Sequence, residues 1–140
     1  MKKVFLFLFI LILANTSKIL ASPIIDLDAI KHIESRGIAD AVSPKGAIGL
    51  YQITPIALKD FNRMTGKKYK KDDLYLIWVN HEIARWLLTK RIPQLLKAKK
   101  KSITVENLLT AYNAGHTYVG KRLPKETQNY IRKYRKAVQS

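Results

Sequence analysis

A chain of 140 residues has room for one compact domain and little besides. Its 26 Lys and Arg against 10 Asp and Glu give a formal charge of +16, an excess that points to a polyanionic partner: nucleic acid, an anionic membrane surface or an acidic polymer. It has no Cys, which excludes disulfide staples, Cys nucleophiles, Cys-based metal sites and a lipid-anchored N-terminal Cys.

Lys2 and Lys3 precede an unbroken apolar run from Val4 to Leu13, and a more polar stretch then ends at Ala21. That order is the layout of an export signal, with cleavage expected after Ala21, and the run is short against the ~20 apolar residues of a membrane-spanning helix. Residues 1–21 are therefore expected to be a signal peptide and 22–140 the working domain, exported to the periplasm or beyond and keeping no stable membrane anchor. Losing 1–21 removes Lys2, Lys3 and Lys18 and no acid, so 23 basic and 10 acidic residues leave +13. An exported chain rarely meets nucleic acid, so an acidic polymer of the cell wall is the better partner.

The domain reads as helices separated by turn signals. Ser22-Pro23 predicts a helix start and Gly37 a stop, with Leu27, Ile30 and Ile33 at helical spacing and Glu34 beside them. Residues 38–53 lack that period and hold Pro44, Gly46 and Gly49, which predicts a tight loop or short hairpin. Thr54-Pro55 opens a helix through Ala57, Leu58, Phe61 and Met64 that stops at Gly66, followed by a basic loop over 67–71. Asp72 and Asp73 suit a helix start, and a long helix is expected over 74–92 with Ile77, Trp78, Ile83, Trp86 and Leu87 in the core. Pro93 opens another short helical turn before the charged stretch 97–101. Thr104 caps a helix ending at Gly115, and the stretch after Pro124 is amphipathic, with Tyr130, Ile131, Tyr134 and Val138 available to pack inward. The three histidines show no metal-ligand spacing, and neither metal nor cofactor is expected.

Glu34 lies three residues before a helix-stopping Gly, beside the apolar face of its helix. The negative end of the helix dipole and partial withdrawal from water both disfavour its anion, as a general acid at neutral pH requires. Many surface glutamates sit at helix ends without a role, so position alone decides nothing.

Longer blocks carry more. Glu34-Ser35 is followed by Ser43-Pro44-Lys45-Gly46-Ala47-Ile48-Gly49-Leu50-Tyr51-Gln52, then by Ala111-Tyr112-Asn113-Ala114-Gly115, then by Glu126-Thr127 with Tyr130. In order and spacing these resemble the soluble lytic transglycosylase catalytic domain, related to goose-type lysozyme, over roughly residues 24–134. The resemblance implies a mainly α, lysozyme-like single domain with a short loop or hairpin after the catalytic helix, acting as a monomer on peptidoglycan. It implies Glu34 as catalytic acid and then base, with Ser35 in support and Ser43, Gly49, Gln52, Tyr112, Asn113, Glu126 and Tyr130 along the glycan. Within it, Tyr112 corresponds to a tyrosine whose hydroxyl lies beside the catalytic carboxyl, and Glu126 could raise the pKa of Glu34. Many relatives carry Met where Tyr51 stands, and an aromatic there could stack on a sugar face. The small size resembles members that open the wall locally for a secretion, conjugation or pilus apparatus. A hydrolytic goose-type lysozyme and a non-catalytic glycan-binding or assembly protein are the alternatives, and the intact Glu34-Ser35 argues against the second.

Overall fold

In the computed structural model residues 23–140 are described, so the expected signal peptide and Ser22 lie outside them. Helix α1 spans Leu27–Ser35. It does not start at Pro23: the Asp26 carboxylate accepts from the Ala29 N–H at 3.0 Å, a stronger start than Ser22-Pro23 offers. Ile30 is the fully buried residue of its apolar face, and Arg36 closes the helix in the left-handed conformation, its N–H reaching the His32 carbonyl.

Residues 38–53 form a loop with two isolated antiparallel bridges, Val42 to Ile48 and Ile48 to Ile53. Ile48 is thereby pinched at the centre and buried completely. Helix α2, Pro55–Thr65, begins as predicted, with the Thr54 side chain accepting from the Ala57 N–H and Gly66 closing it at a φ of 76°. A 3-10 turn, Lys71–Tyr75, leads into α3, Ile77–Trp86.

The next stretch departs from expectation. The helix does not end near residue 92; a π-helical turn, Leu87–Arg91, joins α3 directly to α4, Ile92–Ala98. Pro93 explains the widened turn, because a proline ring clashes with the carbonyl four residues back in a regular α-helix. In the π turn the Ile92 N–H bonds the Leu87 carbonyl instead. Two of the core candidates on this helix are also misplaced: Ile77 and Trp78 remain 58% and 59% exposed, whereas Ile83 is fully buried and Trp86 and Leu87 pack against the core.

Helix α5, Val105–Ala114, is capped by Thr104 and ended by Gly115. Helix α6, Lys125–Ala137, buries Thr127, Tyr130, Ile131 and Tyr134, one face at i, i+3, i+4, i+7 spacing, while Val138 beyond it is exposed. That face packs on α1 and α5. Phe61, Leu74, Val79, Leu88, Leu96, Leu108 and Leu109 fill the core between the helices, giving a mainly helical single domain.

Candidate active site

Two tyrosines of α6 fasten it to both ends of α1. The Tyr134 hydroxyl accepts from the Asp26 N–H at 2.8 Å, at the start of α1. One turn earlier on α6, the Tyr130 hydroxyl donates to Glu34 Oε1 at 2.7 Å, at the end of α1. The catalytic candidate is thus held by a buried phenol on a packed helix.

Glu34 opens on a cleft of about 730 Å³, whose walls include Ser43, Gln52, Tyr112, Asn113 and Glu126. Withdrawal from water raises its pKa from 4.5 to about 7; the Tyr130 hydrogen bond pulls the other way, and the neighbouring charge of Glu126 adds to the rise. Such a carboxyl is part protonated at neutral pH, so it can donate a proton and take one back.

The loop after α1 is shaped by a buried amide that sequence reasoning missed. Asn80, 1% exposed on α3, donates to the Ile48 and Leu74 carbonyls, both at 2.8 Å, and accepts from the Tyr51 N–H at 2.8 Å. Gly49 lies against it with φ +82°; a Cβ there would overlap the Asn80 amide and come within 2.7 Å of the Leu74 carbonyl oxygen. Gly49, expected along the glycan, is accordingly buried and is not part of the cleft's lining; its missing side chain admits the Asn80 amide.

Gln52 takes the left-handed conformation, φ 51°, which is uncommon for a residue with a side chain. Its Nε2 offsets that cost by bonding the Gly49 carbonyl at 3.0 Å and the Ala41 carbonyl at 3.2 Å. Ser43 is tied in locally, its Oγ accepting from the Ala47 N–H at 3.1 Å while its face lines the cleft. Ser35 is buried at the end of α1, where its Oγ donates to the Lys31 carbonyl and accepts from the Gly37 N–H. Ser35 thus braces the turn that carries Glu34.

Expectations for Tyr51 and Tyr130 change, whereas Tyr112 keeps its place near Glu34. Tyr51 is 2% exposed and turns from the cleft to bond His81 Nδ1 at 2.9 Å, so it offers no face to a sugar. The Tyr112 hydroxyl donates to the Tyr51 carbonyl at 2.7 Å, and the phenol bonded to Glu34 is that of Tyr130. Tyr112 is nonetheless near enough that burial first and the Glu34 charge second raise its pKa well above the ordinary phenol value. Tyr130, expected along the glycan, is buried, bonds the Glu34 carboxyl and is not among the residues that line the cleft.

Part of the cleft lining was not foreseen. It comprises Ile56, 82% exposed, with Ala57, Asp60, Arg91, Leu95 and His116. Arg91 leaves the π turn to pair with Asp60, Nε to Oδ2 at 2.6 Å, and Arg63 pairs with the same carboxylate. Burial would raise Asp60, but the two arginines outweigh it and hold its pKa below the usual carboxylate value. The available signal was Ile56, an apolar residue off the buried face of α2. Among the described residues no group of three or more His, Asp or Glu could hold a metal ion.

The sequence family described as Transglycosylase SLT domain matches residues 19–135. No curated protein and no solved structure matches the chain. With most of its length matched and an acid-competent Glu34 set in the cleft of a helical domain, the chain belongs to the transglycosylase SLT domain family of lytic transglycosylases, enzymes that act on peptidoglycan.

Proposed function

We propose that the chain cuts the β-1,4 bond between N-acetylmuramic acid and N-acetylglucosamine without consuming water, leaving 1,6-anhydromuramyl ends. Glu34 protonates the linking oxygen as the bond to the muramyl anomeric carbon breaks and that sugar gains oxocarbenium character. The ionised Glu34 then takes the proton of the same sugar's 6-hydroxyl while its oxygen closes onto the anomeric carbon. The atoms balance with one carboxyl, because the attacking hydroxyl is already tethered to the reacting carbon. The observation that carries this reading is the Glu34 carboxyl on the cleft wall, its pKa raised to about 7.

Ser43, Gln52, Tyr112, Asn113 and Glu126 line the same cleft and are assigned to hold the glycan, with Gln52 offering Oε1 to a sugar hydroxyl. Ser35 and Tyr130 are assigned to position Glu34. A hydrolytic lysozyme reading draws on Glu126 as a second carboxylate able to activate water. Against it, Glu126 is exposed and the other cleft carboxylate, Asp60, is engaged by two arginines. Product masses decide: digested wall should yield anhydro ends, and reducing ends heavier by one water overturn the lyase reading.

Replacing Glu34 by Gln keeps the shape but removes the transferable proton. Wall cleavage should fall roughly 10²–10⁴-fold, with retention on insoluble wall unchanged. Near-normal turnover by that variant would sink the assignment. Export to the periplasm, and local opening of the wall for a secretion, conjugation or pilus apparatus, are the finer parts of the proposal; they rest on the leader-like residues 1–21 and on the small domain. A strain carrying Glu34→Gln should then lose assembly of that apparatus while bulk wall growth continues.

A further inference from the structure

Away from the cleft, Tyr75, Leu76, Ile77 and Trp78 are consecutive and all exposed, at the corner where the 3-10 turn meets α3. The cap position of α3 is Leu76, which makes no side-chain cap hydrogen bond, where Ser or Asp would suit water far better. Lys67, Lys68, Lys70 and Lys71 stand exposed on the segment leading to this corner. Two acids, Asp72 and Asp73, accompany them, and Asp73 is occupied by the Lys70 N–H at 2.7 Å.

The corner is braced. Trp78 meets Tyr69 edge-on with centroids 5.7 Å apart, and Tyr69 stacks on the buried Phe61 at 6.0 Å. The Tyr69 hydroxyl donates to Glu82 at 2.8 Å, and Lys67 Nζ lies 5.5 Å from the Tyr69 ring centre.

We propose that this corner docks the protein peripherally on an anionic phospholipid bilayer, independently of the wall-cutting site. Trp and Tyr favour the level of the headgroups, Leu and Ile reach the acyl boundary, and lysines pair with anionic headgroups while their stems lie on apolar surface. A bilayer suits the shape better than a peptide. The four apolar residues are consecutive and exposed, and they line neither the cleft nor the smaller cavity of about 420 Å³ over Phe61 and Trp86.

The chain has two tryptophans, so Trp86→Phe leaves Trp78 as a local reporter. In that full-length background, phosphatidylglycerol vesicles with brominated acyl chains should blue-shift and quench Trp78 emission at low salt, and phosphatidylcholine vesicles should not. Adding Leu76→Ser and Ile77→Ser should abolish the quenching. Changing Lys67, Lys68, Lys70 and Lys71 to Gln should weaken partitioning roughly tenfold or more, as should added salt. These lysine changes are all at exposed sites, so they test the idea even if the apolar variant fails to fold. Sedimentation with vesicles but no Trp78 quenching would place binding elsewhere, for instance at Val4 to Leu13, and overturn the proposal. So would self-association that the Leu76 and Ile77 changes abolish, with no response to lipid.

Discussion

Glu34 is poised between two opposed neighbours, and each gives a signed expectation. Burial supplies most of the rise in its pKa, so neither neighbour alone should return it to an ordinary value. The Tyr130 hydroxyl stabilises the anion, so Tyr130→Phe should raise the Glu34 pKa further and move the alkaline limb of kcat/KM to higher pH. Glu126→Gln removes a like charge and should move the same limb the other way. Shifts of the same sign, or none, would detach the limb from Glu34. Stability offers a separate reading of that carboxyl. With a folded pKa of about 7 against 4.5 unfolded, the native state binds more protons between those values, so Glu34 makes the protein less stable as pH rises through that window. Glu34→Gln should therefore stabilise the fold on the order of 1–3 kcal/mol above pH 7, with the gain vanishing near pH 4. Thermal melts of the two proteins across pH check the sign.

The helical elements were legible because their end signals are local: Thr54, Gly66, Thr104 and Gly115 act within a few residues of themselves, and each does what its position predicts. The start of α1 and the run from α3 into α4 were less so. Asp26 outcompetes Ser22-Pro23 through a side-chain bond, and Pro93 is absorbed by a π turn that depends on the surrounding packing. The candidate site divides in the same way. Glu34, Ser43, Gln52, Tyr112, Asn113 and Glu126 do gather on one cleft, whereas Gly49, Tyr51 and Tyr130 turn away from it for reasons set by Asn80, His81 and α6. Asn80 was illegible because a buried amide has no periodicity; only its partners Ile48, Tyr51 and Leu74, two of them distant in sequence, reveal it. Asn80→Ala should leave the buried Tyr51 N–H without its partner and take one donor from each of the Ile48 and Leu74 carbonyls, costing about 2–4 kcal/mol. Gly49→Ala should cost a similar amount, since it adds a strained φ to an overlap. Denaturant midpoints measure both, and a change under 1 kcal/mol for Asn80→Ala would mean that the loop is held by other contacts.

At the scale of the whole molecule, part of the positive excess lies at the cleft. Lys45 and Arg91 line it alongside Glu34, Asp60 and Glu126, and the pKa of His116, on the same lining, is lowered by burial first and then by the nearby charges of Lys99 and Arg91. The run Lys99 to Lys101 follows directly on α4, and its first charge, Lys99, lies close enough to His116 on the cleft lining to act on it. Wall polymer bearing carboxylates on its peptides would be drawn toward that end by a long-range attraction that adds no contact at the scissile bond. Such an attraction fades once the Debye length falls below the separation, about 10 Å at 0.1 M salt. Exchanging Lys99, Lys100 and Lys101 for Ser should therefore weaken binding to insoluble wall at low ionic strength and leave it unchanged at high. The turnover of bound substrate should be the same in both proteins, because Glu34 keeps its burial and its Tyr130 partner. Equal binding by both proteins at low salt would reduce the lysine run to plain solvated surface, whereas a loss that persists at high salt would mean that these side chains touch the glycan directly.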